Sequence, residues 1–362
     1  MTLDHGGEPA RAAALAAFDP LRFGFHPAGT GWIKEFSSLG PVVFAALGWQ
    51  HARMRSHHAS EHGEITGLDA LELVVELQRQ TWGMAPEELV PANVLAVLAE
   101  SGGSVIVAYR RRAGFTVDGW LGFVISLGTD TGTLLSHMLG VRAEARGRHD
   151  IGWYLKLVQA HEALRRGYVA ASWTFDPMRG VNARLNLEKL GAVVTELTLD
   201  KYGTLRSSLY GDVPSDRFTA HWDLLSPATA ERIRLIASEG YQALMVAEVQ
   251  EVPIVTLDSI ADLVVARPPR LRYQIPGDID QLMRDDPASA IGWRQEMRQT
   301  LAALVTTKSA GGGVPVPADP VGIGIAVTPG AYIVTGIATG SDSSGERQSW
   351  YLLERKERAW GE

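Results

Sequence analysis

The middle of this chain alternates between two hydrophobic periods. Over Leu68 to Trp82 the apolar positions Leu71, Val74, Val75 and Leu77 suit one face of a helix. Pro86 and Pro91 break that pattern, and Ala92 to Glu100 predicts a second, shorter helix stopped by Gly102 and Gly103. Two strand-like runs follow, Ser104 to Tyr109 and Trp120 to Leu127. The linker between them carries Arg110, Arg111, Arg112 and Gly114 and reads as a solvated hairpin loop. Leu134 to Val141 predicts a third strand, and a loop of Arg and Gly leads into a helix from about Ile151 to Arg166. A strand at Tyr168 to Thr174, a helix at Gly180 to Leu190, and strands at Val193 to Leu199 and Phe218 to Leu224 complete a mixed α/β sheet.

The two ends are less periodic. Residues 1–63 read as an N-terminal extension punctuated by Pro20, Pro27, Gly29, Gly31, Gly40 and Pro41, with one apolar run from Val42 to Trp49. Residues 226–362 read as a C-terminal α/β appendage. It holds a helix over Ala228 to Glu239, a strand-like Leu244 to Val249, a long helix from about Ile279 to Leu304, and a final strand pair at Tyr332 to Ile337 and Trp350 to Glu354. A central domain over 64–225 is expected between them.

Composition narrows the chemistry. The chain has 362 residues and no cysteine, which excludes disulfides, thiolate nucleophiles and Cys-ligated metals. No apolar run approaches the roughly 18–20 residues that span a bilayer. Asp4 and Glu8 stand where an export signal would carry basic residues, so a cytoplasmic protein without membrane partners is expected. A net charge of −7 argues against a dedicated nucleic-acid binder. His58-Ala59-Ser60-Glu61-His62 matches H-x-x-E-H, but Gly63 stops any helix there and no metal is expected. Trp173, Trp222 and Trp293 read as core residues.

The segment Ser136 to Ala192 carries the chemistry. A strand feeding a glycine-bearing loop at a helix N-terminus is a device for holding a phosphorylated ligand. The first-turn N–H groups lack helical partners, and the helix dipole favours an anion there. The strand Leu134–Val141, the loop RGRHDIG (Arg146 to Gly152) and the helix NARLNLEKLGA (Asn182 to Ala192) together resemble the acyl-CoA-binding core of the GNAT N-acyltransferase superfamily. The phrases TWG, VPANVL, SHML, LKLVQAHEA, WTFDPM and DRF…W are similar to a bacterial branch of GNAT proteins. Some of these are thought to acylate the amino group of amino acids. The likeness covers roughly residues 65–225, with a weaker echo over Ile275 to Arg298.

That resemblance implies a mixed, mostly antiparallel sheet flanked by helices. Acetyl-CoA or another acyl-CoA would be the cosubstrate and a small-molecule primary amine the acceptor, and a homodimer is allowed. It implies that Leu139 and Val141 polarise the thioester carbonyl, and that Arg146, Gly147, Arg148, Ile151 and Gly152 hold the diphosphate. Asn182 and Asn186 lie on the second cofactor-binding helix. Asp176, His137 and Tyr202 are the candidates for proton handling. Two positions depart from the family pattern. Asp150 occupies a slot where glycine lets the backbone approach the diphosphate, and Leu187 occupies the slot of a tyrosine that protonates the leaving thiolate. A donor carried on a protein or a charged tRNA, a non-catalytic binding module, and a different reaction on the same fold, such as decarboxylation, stay open as alternatives.

Overall fold

The computed structural model describes residues 7–29, 31–47, 67–111, 116–147, 149–203, 214–244, 251–309, 330–341 and 347–356. The His58–His62 motif, Arg112, Gly114 and Arg148 lie outside these residues, as does the expected strand beyond Leu244. The chain forms two compact units. The first takes residues 1–172, 207–209 and 223–239; the second takes 173–206, 210–222 and 240–362.

The first unit is built on strands β1 (Phe25–Ala28), β2 (Gly31–Phe36), β3 (Gly40–Leu47), β4 (Ser104–Arg110), β5 (Trp120–Leu127) and β6 (Thr133–Val141), each antiparallel to the next. The start of β7 (Ala170–Phe175) then pairs parallel to β6. β4 and β5 are buried along nearly their whole length, which is why they read as continuous apolar runs. Val105, Val107, Phe123 and Ile125 form one core with Leu71, Val74 and Leu77 of α2 (Gly67–Trp82) and Leu95 of α3 (Ala92–Glu100). Each such side chain stabilises the fold by about 1.5–3 kcal/mol when fully buried. Gly122, next to Phe123 and so on the opposite face, lies against Leu155 of α4 (Ile151–Arg166). Helix α1 (Glu8–Ala17) packs on α4 and on α6 (Pro227–Glu239), and the Arg11 guanidinium caps α4 by donating to the Leu164 carbonyl.

The N-terminal region therefore differs from the loosely patterned extension expected. Residues 25–47 form a three-stranded meander whose last strand pairs with β4. Its glycines and prolines sit at the hairpin turns and on the short β1, where they mask the alternation inside each strand.

In the second unit β9 (Arg217–Asp223), β8 (Val193–Leu199), β12 (Tyr332–Ser341), β13 (Arg347–Arg355) and β10 (Arg270–Ile275) pair antiparallel in that order. β11 (Thr306–Ser309) runs parallel to β8. The region beyond 225 thus shares its sheet with β8 and β9, while its first helix, α6, belongs to the first unit. Trp173, Trp222, Phe175, Phe218 and Tyr351 stack edge to face in the core of this unit, and Trp293 is only half-buried. The helix after β7 begins as α5 (Gly180–Ala183) and continues as a π-helical turn, Arg184–Lys189, in which the Leu190 N–H reaches back to the Leu185 carbonyl. A further helix, α7, spans Ile260–Ala266. The single long helix expected over 279–304 is two, α8 (Ile279–Asp285) and α9 (Pro287–Ala302). Pro287 has no N–H to continue the first, and Asp286 caps the second by accepting from the Ser289 N–H at 3.1 Å.

Candidate functional site

In the first unit β6 and β7 pair only through Thr133–Ala170, Leu134–Ala171 and Leu135–Ser172. Beyond Leu135, β6 runs six residues further to Val141 on the β5 ladder alone, among the described residues. Alternate backbone groups of that stretch face an edge with no ladder to fill it. Where the parallel pairing ends, the β5–β6 register slips: Ile125 pairs with Met138 and Ser126 with Ser136, so His137 is the extra residue of a β-bulge. Bulges re-aim side chains and are common beside functional sites. His137 is exposed, yet the protein around its ring is enough that desolvation holds its pKa below 6.5. Its imidazole is therefore neutral near pH 7.

From Val141 the chain turns through the predicted loop into α4. Gly147 takes φ +73°, a left-handed conformation that glycine adopts without strain. The Arg146 guanidinium donates to the Val141 carbonyl at 2.7 Å and to the Thr81 carbonyl at 3.1 Å. It ties the loop to the end of β6 and to the last turn of α2, a bracing role in addition to the charge expected of it. His149 lies edge-on to Phe36, with its Nε2 3.4 Å from the Ser38 hydroxyl. Asp150 is the N-cap residue of α4 at φ +51°, and its side chain makes no capping bond. The backbone thus treats position 150 as a glycine site, as the sequence pattern implies, with a carboxylate attached. Ile151 and Gly152 open the helix, and Ile151 is buried.

Behind this strand and helix lies a polar cluster that sequence reasoning missed. Lys156, buried on α4, donates to the Ser136 hydroxyl at 2.7 Å and to the Gln159 carbonyl oxygen at 3.2 Å; Ser136 itself donates to Gln159 at 3.1 Å. Burial lowers the Lys156 pKa to about 7. The only signal in the sequence is a lysine between two leucines, Leu155 and Leu157, which reads equally well as a solvated side chain.

The remaining candidates lie in the second unit. Asp176, just past β7, is buried. It accepts two hydrogen bonds from Arg294 of α9, at 3.1 and 2.9 Å, and one from the Met178 N–H at 2.9 Å. Burial by itself raises a carboxyl pKa, but the Arg294 charge and hydrogen bonds, with Arg217 behind them, outweigh it and hold Asp176 below the usual range. A carboxylate so engaged is a weak base. Tyr202 is half exposed, with its hydroxyl 3.2 Å from that of Thr174 and the Arg217 guanidinium over its ring. Asn182 is exposed on α5, whereas Asn186 and Leu187 are buried in the π turn. The partner of Asp176 was not visible in the sequence, since Arg294 lies 118 positions away.

No family model matches the sequence, and no curated protein matches it. Among solved structures the chain is similar to an IAA acetyltransferase from Bacillus cereus, at 16% identity over 38% of this chain and 95% of that one, with a TM-score of 0.30. It is also similar to a Bacillus subtilis acetyltransferase in complex with CoA, at 17% identity over 41% and 91% of the two chains, TM-score 0.32. A third is the ribosomal-protein-S18-alanine N-acetyltransferase of Escherichia coli, at 12% identity over 42% and 87%, TM-score 0.34. No helix among the described residues is long and apolar enough to cross a membrane.

Proposed function

We propose that this chain is a GNAT-type N-acyltransferase that moves an acyl group from a CoA thioester to the primary amine of a small molecule such as an amino acid. The observation that carries the reading is the parting of β6 from β7 after three residue pairs, beside a loop that enters α4 at a glycine-type backbone turn. An extended pantetheine arm supplies the amide groups that an unladdered strand edge needs, and the first turn of α4 suits a diphosphate.

In this reading the backbone N–H groups near Leu139 and Val141 polarise the thioester carbonyl and then hold the tetrahedral oxyanion. Gly147, Ile151 and Gly152 hold the diphosphate, with Arg146 bracing the loop and Arg148 adding charge. The acceptor amine attacks in its neutral form, so it must lose a proton. His137, neutral near pH 7 and standing on the bulge, is the acceptor of that proton. Asp176 is better placed as the anchor of its turn than as a base. The departing thiolate belongs to a thiol of pKa about 8.5 and leaves with little help.

Asp150 supports a second donor. Its carboxylate beside a diphosphate would cost roughly a few kcal/mol at an effective dielectric constant near 20. A donor whose phosphate is screened by a carrier protein relieves that repulsion.

The test is acyl transfer from acetyl-CoA and succinyl-CoA to a panel of amino acids, read by thiol release and by mass spectrometry of the acylated product. His137→Asn should lower turnover by about 10²–10⁴ with donor affinity unchanged. If calorimetry detects no binding of either CoA ester to the wild-type protein, the free-CoA reading is wrong.

A further inference from the structure

The Lys156–Ser136–Gln159 cluster stands where the two halves of the donor site meet. Ser136 is the first β6 residue beyond its last pair with β7, and it immediately precedes the bulged His137. Lys156 lies one and a half turns into the helix whose N-terminus forms the other half. The hydrogen bonds from Lys156 to Ser136 and Gln159 therefore join α4 to β6 at the crotch from which the unladdered edge departs.

The cluster is a poor device for stability. A lysine is almost never fully buried, and Lys156 is. Burial also pushes its pKa down to about 7, so holding the charged form inside costs free energy. The Gln159 side-chain N–H₂ is buried without a hydrogen-bond partner among the described residues. A leucine and a valine at 156 and 136 would fill the same space without these penalties. Residues kept at such expense to stability fit a functional constraint better than a structural one.

We propose that Lys156 is a positioning residue: through Ser136 it fixes the bulge that carries His137, and it sets the spacing between the carbonyl-polarising edge of β6 and the diphosphate loop at the start of α4. The inference rests on the acyl-transfer reading. Lys156 touches neither donor nor acceptor, and it acts on the alignment of groups that do.

The test uses the full chain with Lys156→Met, Ser136→Ala and the double variant. Two readouts are followed: acetyl-CoA turnover against the amino-acid panel together with acetyl-CoA affinity by calorimetry, and amide hydrogen exchange over His137–Val141 with β4 as internal control. Each single variant should lower kcat by about 10- to 100-fold, as misalignment near one ångström does, with acetyl-CoA affinity within about twofold of wild type. The double variant should be no worse than either single one, because both cut the same link. Exchange over His137–Val141 should quicken by about tenfold while β4 is unchanged. Unchanged exchange there, additive losses in the double variant, or a loss confined to acetyl-CoA affinity would each overturn the proposal. A wild-type protein that neither binds nor turns over acetyl-CoA refutes the donor reading instead, and the exchange comparison still decides whether the tie holds the bulge.

Discussion

Replacing Lys156 with Met should make the protein more stable, by an amount that depends on pH in a defined direction. Lys156 is fully buried and its pKa falls from 10.5 to about 7. That difference corresponds to roughly 5 kcal/mol of preference for the unfolded state while the amine is protonated in both states. Below about pH 7 the penalty is present in full. Between about 7 and 10.5 the folded amine is neutral while the unfolded one still binds a proton, so wild-type stability climbs by about 1.4 kcal/mol per pH unit. Met keeps the length of the chain and removes the charge, but it gives up the hydrogen bonds to Ser136 and Gln159, worth about 1 kcal/mol each. The net gain at pH 7 should be about 2–3 kcal/mol, shrinking to nothing and then reversing toward pH 9–10. Urea unfolding at pH 6, 7, 8 and 9, followed by tryptophan fluorescence, measures the gap between the two proteins. A gap that does not change from pH 7 to 9, or one that widens, refutes the burial argument. Greater stability alongside lower turnover would also separate the two roles of the residue cleanly.

Other substitutions report on the rest of the site. Asp150→Gly should stabilise the fold by about 1 kcal/mol, because φ +51° strains a residue with a Cβ, and calorimetry should show severalfold tighter acetyl-CoA binding. That gain should diminish with salt, since exposed charges are screened over about 8–10 Å at physiological ionic strength. Gly152→Asp should abolish CoA-ester binding in the same assay by placing an anion in the first turn of α4, with melting temperature little changed. Asp176→Asn removes the buried carboxylate that Arg294 donates to and should destabilise the protein by about 3–5 kcal/mol in urea unfolding. The folded pKa of Asp176 is depressed, so its contribution should be complete above the unfolded value near 3.9 and vanish as pH falls through the lower folded value. A loss of turnover in folded Asp176→Asn comparable to that in His137→Asn would instead return Asp176 to the chemistry.

Much of the sheet in the first unit was legible because burial on both faces leaves an uninterrupted apolar run. Ser104–Arg110 and Trp120–Leu127 are found within a residue of where the sequence puts them. α4 was legible for a different reason: Gly147 punctuates the chain just before it and Gly167 ends it in a left-handed cap. Phe25–Leu47 was not, because its strands are short and turn residues occupy the positions where alternation would show. At the site, local features were within reach and distant ones were not. Position 150 could be marked as a glycine slot from the family resemblance, though its left-handed backbone could not, and the depressed pKa of Asp176 depends on Arg294, on a helix that belongs to a region read as an appendage. His137 could be named as a candidate, but the bulge that sets it apart arises from a register slip against β5, and no single strand encodes a register.

The wide turn at Arg184–Lys189 has a consequence for how this chain tolerates changes in length. Each helical residue advances the side-chain direction by about 100°, so a helix holding one residue more than regular winding allows displaces all that follows by nearly a third of a turn. Here the surplus is absorbed locally, and the neighbours Asn186 and Leu187 are both turned inward. Loss of one residue from this stretch would restore regular winding and leave β8 in place, but with neighbours about 100° apart it would keep only one of the two inside. Insertions and deletions that a loop of the same length would accept are therefore closed to this segment, and its length is as much a part of its specification as the residues it contains.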